Sequence, residues 1–400
     1  MLNKKIINYK FKKFNPIGKE ELYAAKKVIT SGKLSGFLAG KGPEFEGGEY
    51  VKLFEEKIKK YFNVRYAITV NSWTSGLSAI IGALKIKKDD EIILPTWTMS
   101  ACAAAILQWN AVPVFCDIKK DDFTIDPKKL EKLITKKTVA ILAVDLFGTP
   151  CDYDEIIKIS KKYNIKIISD SAQAISSKYK NKYVSTFVDM GGFSLNRHKH
   201  INTGEGGIII TNNKKYAQRL RLLRNHAESS NDKKNVEMFG FNFRLGEIES
   251  AIGIEQLKKL KKIVKERISI AEALTHGLKN LKGLNLPANN PKKKNIYYFY
   301  PLTINEEIIK TKKNKIISML TDQGIQEICS EYSSLHKLII FQNTKSKYQQ
   351  VKNKKYSVAE NLNKNTFMAI KLCSITLNKR DIKLIIKSFK NVWDKISFYK

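Results

Sequence analysis

Between residues 66 and 212 the chain alternates short, continuously apolar runs with longer stretches whose apolar positions recur every three or four residues. The runs are YAITV (66–70), EIILP (91–95), VPVFCDI (112–118), VAILAVDL (139–146), IKIISD (165–170), GGFSL (191–195) and GGIIITN (206–212). Helically periodic segments such as Leu77–Leu84, Ser100–Trp109 and Tyr153–Tyr163 lie between them. A strand that is apolar at every position is buried on both faces, and helices on both sides of a mostly parallel sheet provide that cover. The pattern therefore predicts an α/β unit with seven strands and right-handed crossovers.

Past residue 213 the rhythm changes. RLGEIESAIGIEQLKKLKKIVKERISIAEALTHGLKNL (244–281) reads as long basic amphipathic helix, and NLPANNPKKKN (285–295) reads as a connection into a second, smaller α+β unit. The division is expected near residue 255, giving a large unit over 1–255 and a small one over 256–400.

Composition adds little to the fold but narrows the function. No apolar run is long enough to cross a bilayer, and MLNKKIINYKFKKFNP at the start lacks the continuous hydrophobic segment of a secretory signal. The five cysteines are scattered without CxxC spacing, which suggests reduced thiols, not a disulfide frame or a zinc site. A cytoplasmic protein is expected, with no membrane partner. Lysine and arginine total 72 against 38 acidic residues, a net charge of +34. Such a surplus attracts nucleic acid non-specifically, yet here the lysines spread through the whole chain among Asn and Ile, and no basic motif interleaved with aromatics appears. No nucleic-acid partner is expected; an anionic small substrate suits the charge equally well.

In open sheets of this kind ligands sit beyond the carboxyl ends of the strands. After the first run comes VNSWTSGLSAIIGAL, where Thr74 and Ser75 fall at a helix start. Its N–H groups could hold a phosphate, although the same residue types also serve as ordinary caps. The lysine of a nucleoside-triphosphate loop is missing. Asp170 ends a fully apolar run, so its carboxylate needs a cationic partner at a buried sheet edge; no neighbouring ligand set favours a metal. In NRHKHINTGEGGIII (196–210) an extended backbone would send His198 and His200 one way and Lys199 the other. A histidine pair at that spacing could chelate a metal, and a lysine could equally be a solvated one. Taken together, a phosphate-suited helix start, a strand-end aspartate and a loop lysine supply what pyridoxal 5′-phosphate requires.

At this point the chain resembles the fold-type I pyridoxal-phosphate-dependent nucleotide-sugar aminotransferases of the DegT and DnrJ type. The likeness runs through FEEKIKKYFNVRYAITVNSWTSGL, DDEIILPTWTMSACAAAILQWNAVPVFCDI, DLFGTPCDYDEI, IISDSAQAI, GGFSLNRHKHINTGEGGIIITNN, RLLRNHAE, GFNFRLGEIESAIGIEQLKKL and EYSSLHK. It implies that Lys199, five residues before Gly204, is the Schiff-base lysine. It further implies that Asp170 pairs with the pyridine nitrogen, that Gln173 sits beside the ring's phenolic oxygen, and that Thr74, Ser75 and Ser194 bind the phosphate. Asn242 is similar to a residue reaching the neighbouring subunit's cofactor, so the resemblance implies a homodimer with shared active sites. Tyr332 and His336 match substrate-side positions.

Two departures stand out. Ser72-Trp73-Thr74 replaces the family's Ser-Gly-Thr, and the ring-stacking slot holds Met99, with Trp97 two residues earlier, so that either could cover the ring. A histidine in place of the lysine would mark a dehydratase of the same family; the spacing to Gly204 puts Lys199 there instead. The activity so implied is amino transfer, from glutamate, to a nucleotide-linked keto-deoxysugar for surface polysaccharide synthesis. A non-sugar cyclic ketone is the alternative acceptor.

Overall fold

The computed structural model describes residues 10–40, 42–228, 236, 238–343 and 355–399, so Met1–Tyr9 of the basic N-terminus lies outside the described residues. Its centre is a seven-stranded sheet. The strands are β1 (Tyr66–Val70), β2 (Glu91–Pro95), β3 (Val112–Cys116), β4 (Thr138–Val144), β5 (Lys166–Asp170), β6 (Met190–Ser194) and β7 (Gly207–Thr211). Their spatial order is β1-β7-β6-β5-β4-β2-β3. Only β7 runs antiparallel to its neighbours; the remaining pairs are parallel.

Alternate residues of each strand feed two separate cores, which is why the runs are apolar throughout. Ile68, Val70, Leu142 and Ile168 face one cluster; Ala67, Ile141, Ile167 and Ile210 face the other. Helices α3 (Trp73–Ala83), α4 (Ser100–Gln108) and α6 (Lys214–Arg224) cover the first face. The second is covered by α2 (Glu49–Phe62), α5 (Tyr153–Tyr163) and the first half of α7 (Glu247–Leu278). Helix α1 (Lys19–Ser31) lies against α7.

Helix α3 begins four residues before the Leu77 start that periodicity predicts. Its first turn carries no apolar stripe, but Ser72 caps it, with Oγ accepting from Ser75 N–H at 3.1 Å. The long amphipathic stretch expected over 244–281 forms α7, one unbroken helix of 32 residues that runs straight through position 255. Its side chains up to Val264 pack on the large sheet, and from Ile270 onward they enter a third core.

That third core belongs to a four-stranded antiparallel sheet. Its strands are β8 (Leu284–Asn285), β9 (Tyr300–Ile304), β10 (Ile328–Cys329) and β11 (Phe367–Ile370), in the order β8-β9-β11-β10. Helices α8 (Lys313–Asp322) and α9 (Lys379–Trp393) pack on it. The chain's start is tied to this part as well, Lys12–Lys13 pairing with Ile375–Thr376.

Strand register gathers the chemistry at one edge of the large sheet. Gly207 lies opposite both Val70 and Ser194. One step away, Asp170 stands between Gly192 and Val144. The ends of five strands thus converge where ligand binding is expected.

Candidate active site

A cavity of about 380 Å³ opens there, lined among others by Thr74, Met99, Asp170, Gln173, Ser194, Lys199 and Tyr332. That volume lies within the range of small-molecule sites. Four residues given a cofactor or substrate role by the resemblance do not line it. Ser75 turns its hydroxyl to Ser72, 3.0 Å away. Trp97 is fully buried in an aromatic cluster with Phe123, Phe147, Tyr332 and Phe367, which leaves Met99, 58% exposed, as the member of that pair facing the cavity. His336 is buried as a clasp, its ring nitrogens 2.6 Å from Thr96 Oγ1 and 3.1 Å from Glu360 Oε1. Asn242 lies exposed on the surface, its Oδ1 accepting from Arg244 Nε at 2.8 Å.

The extended backbone expected around Lys199 is replaced by a turn. Lys199 N–H donates to Asn196 O at 2.9 Å and Arg197 N–H to Gly204 O at 2.9 Å, closing the loop on itself. Gly204 takes φ +86°, a conformation glycine adopts without strain. The turn separates the two histidines. His200 is buried, with Nε2 2.9 Å from Ile296 O, and burial pushes its pKa down to about 3. His198 is exposed at the cavity. They cannot chelate one ion as a pair, and no group of three or more potential ligands occurs among the described residues.

Lys199 Nζ projects into the cavity 4.7 Å from the centroid of the Tyr298 ring. It has no hydrogen bond or ion pair among the described residues. Desolvation outweighs the opposing pull of Asp170 and lowers its pKa to about 8. Capture of an aldehyde needs the neutral amine, which burial favours and which predominates above that pH. Hence the rate at which cofactor-free protein captures pyridoxal phosphate is expected to rise with pH through about 8 and then level off. Stopped-flow absorbance would check this, and a rate independent of pH across that interval would contradict it.

Asp170, 5% exposed, accepts from Trp73 Nε1 at 2.7 Å and Ala172 N–H at 3.0 Å on Oδ1, and from Cys102 Sγ at 3.1 Å on Oδ2. Burial and the adjacent carboxylate hold the Cys102 thiol far above its ordinary pKa, so it remains a donor. Gln173 is held at both ends, its Oε1 accepting from Phe147 N–H at 2.8 Å and its Nε2 donating to Tyr332 Oη at 2.7 Å. In the first turn of α3 the N–H groups of Trp73 and Thr74 have no acceptor within the helix. With the hydroxyls of Thr74 and Ser194 they form a set of donors suited to a phosphate.

The model of the DegT/DnrJ/EryC1/StrS aminotransferase family matches residues 38–388. The chain belongs to this family. Among its relatives, the UDP-4-amino-4,6-dideoxy-N-acetyl-beta-L-altrosamine transaminase of Campylobacter jejuni is 36% identical over 68% of this chain and 74% of the relative. The spore coat polysaccharide biosynthesis protein SpsC of Bacillus subtilis is 30% identical over 77% of this chain and 79% of the relative. A solved Escherichia coli GDP-4-keto-6-deoxy-D-mannose-3-dehydratase with bound hydrated pyridoxal phosphate superposes with TM-score 0.81 and 25% identity, covering 95% of this chain and 99% of that one.

The protein is thus a pyridoxal-phosphate-dependent aminotransferase of fold type I, and the cavity fits the cofactor on its own chemistry. Among the described residues, an amine free of hydrogen bonds and ion pairs, a carboxylate with an acceptor position to spare, and helix N–H groups with no acceptor inside the helix line one space. Three residues of this DegT/DnrJ-type site were given no role from the sequence. Tyr298 lies beneath the lysine amine. Cys102 and Trp73 both donate to Asp170. The signal for Trp73 was present, as the tryptophan standing where the family has glycine.

Proposed function

We propose that this aminotransferase moves an amino group from glutamate to the keto carbon of a nucleotide-linked deoxysugar, as a step toward surface polysaccharide. The observation that carries the reading is Lys199: an amine projecting into the cavity with no hydrogen bond or ion pair among the described residues, in a chain whose relatives include a UDP-amino-sugar transaminase and a spore coat polysaccharide protein. Bound there, pyridoxal phosphate supplies the electron sink that lets an amino group leave one carbon and be installed on another. The protein's own residues do the rest. Lys199 Nζ would take the proton from the donor carbon and, in the second half-reaction, deliver one to the acceptor carbon that receives the amine, and the α3 start would hold the phosphate. Tyr332, with Gln173 on its hydroxyl, forms a wall on the substrate side. The dehydratase alternative is disfavoured because neither His198 nor His200 occupies the position of Lys199. Incubation with glutamate and a panel of nucleotide-linked keto-sugars tests the reading. Formation of 2-oxoglutarate with an aminated sugar is expected, and turnover confined to cyclic ketones without a nucleotide would favour the non-sugar acceptor.

The assembly is proposed to be a homodimer with shared sites. In support, Asn242 is exposed and braced by Arg244, itself 2.9 Å from His226 Nε2, and Leu22, Tyr23, Leu38 and Phe239 are 58–90% exposed. Asn242→Ala is expected to loosen the cofactor severalfold; unchanged retention on dialysis would count against sharing. A cytoplasmic location is proposed from five cysteines that are all free thiols, and none of the described helices is long and apolar enough to cross a membrane. Two units are proposed, with α7 carrying the boundary and the cores changing hands between Val264 and Ile270, beyond the 255 expected from the sequence.

A further inference from the structure

Amino transfer does not by itself require an indole at position 73. Yet the Trp73 ring is only 6% exposed and fills space left by two glycines. A Cβ on Gly192 would fall 2.7 Å from its Cζ3, and one on Gly76 would fall 3.0 Å from its Cε3. Packing of that kind sets the plane of the ring, and with it the direction of the Nε1–H bond, which meets Asp170 Oδ1 at 2.7 Å. A carboxylate offers about four acceptor positions. Trp73 and Ala172 take the two on Oδ1, and Cys102 takes one on Oδ2.

The geometry points to Trp73 as a positioning residue: its indole N–H holds the Asp170 carboxylate so that the last acceptor position, on Oδ2, serves the ring nitrogen of the cofactor. The inference rests on the pyridoxal phosphate site described above. Rotation of a carboxylate about χ2 is otherwise soft. The short bond from a fixed ring restrains it more firmly than the single backbone N–H of Ala172 could. Phenylalanine at 73 would keep an aromatic ring in the slot and lose the donor.

Two probes on cofactor-free protein separate positioning from space filling. One is 4′-deoxypyridoxine 5′-phosphate, which keeps ring nitrogen and phosphate but has no aldehyde for Lys199. The other is its counterpart with carbon in place of the ring nitrogen. By equilibrium dialysis the wild-type protein should prefer the first. In Trp73→Phe that preference is expected to shrink about tenfold, the scale of one hydrogen bond to a charged group, while affinity for the nitrogen-free probe barely changes. Equal losses for both probes would mean that Trp73 only fills space, and an unchanged ratio would mean that it does nothing to Asp170; either overturns the inference. Failure of the wild-type protein to bind both probes would instead remove the cofactor site, and this inference with it. Should the variant fold poorly, the indole N–H resonances of the four wild-type tryptophans give a second reading. One signal should move with the pyridine probe and stay with its counterpart; no selective movement overturns the role.

Discussion

Replacing Lys199 with alanine is expected to lower transamination by about 10⁴-fold or more, the upper end of what a positioned proton-transfer group contributes. The variant should also lose the visible absorbance of lysine-linked cofactor. Three features concentrate the effect on this side chain. Its amine has no hydrogen bond or ion pair among the described residues, its pKa is lowered to about 8, and the neighbouring histidines cannot replace it. His200 is committed to Ile296 O, and His198 stands exposed. Substantial turnover in Lys199→Ala, measured as 2-oxoglutarate formed from glutamate, would remove the basis of the proposed function. The fold should survive, since the turn is closed by backbone bonds that alanine keeps.

Asp170→Asn should cost on the order of 10²–10³ in kcat, the scale seen when one preorganised electrostatic group is removed. The hydrogen-bond pattern predicts how the amide will sit. Trp73 Nε1 and Ala172 N–H both donate to Oδ1, so the asparagine oxygen must stay there and its NH₂ must take the Oδ2 position. The side chain would then offer the cofactor a donor where the wild-type protein offers an acceptor. Cofactor content, measured after gel filtration, should fall much less than kcat, because the phosphate donors and Lys199 remain. A variant with wild-type kcat would show that this carboxylate is not the partner of the ring nitrogen.

Much of this architecture is legible in the sequence, for a reason the two cores make plain. A strand buried on both faces must be apolar at every position, so all seven strands could be located to within a residue or two, as with GGIIITN for Gly207–Thr211. Asp170 and Lys199 were equally visible, since a charge at the end of an apolar run and a lysine beside a glycine turn both break local rules. What escaped depends on direction and not on residue type. Nothing in PTWTM says that Trp97 turns into a cluster with Phe147 and Phe367, or that Met99 faces the cavity. His336 carries a substrate-side pattern, yet Thr96 and Glu360, distant in the chain, hold both its nitrogens. The handover between cores along α7 is hard to read because the helix keeps one period while changing the core it serves.

Since the buried side chains of α7 enter both cores without a break, swinging one half of the molecule against the other would bend a continuous rod or strip apolar surface from one of its seats. Substrate exchange is therefore expected to proceed through local rearrangement at the mouth of the cavity, around Met99 and His198, with the body of the enzyme behaving as a stiff frame.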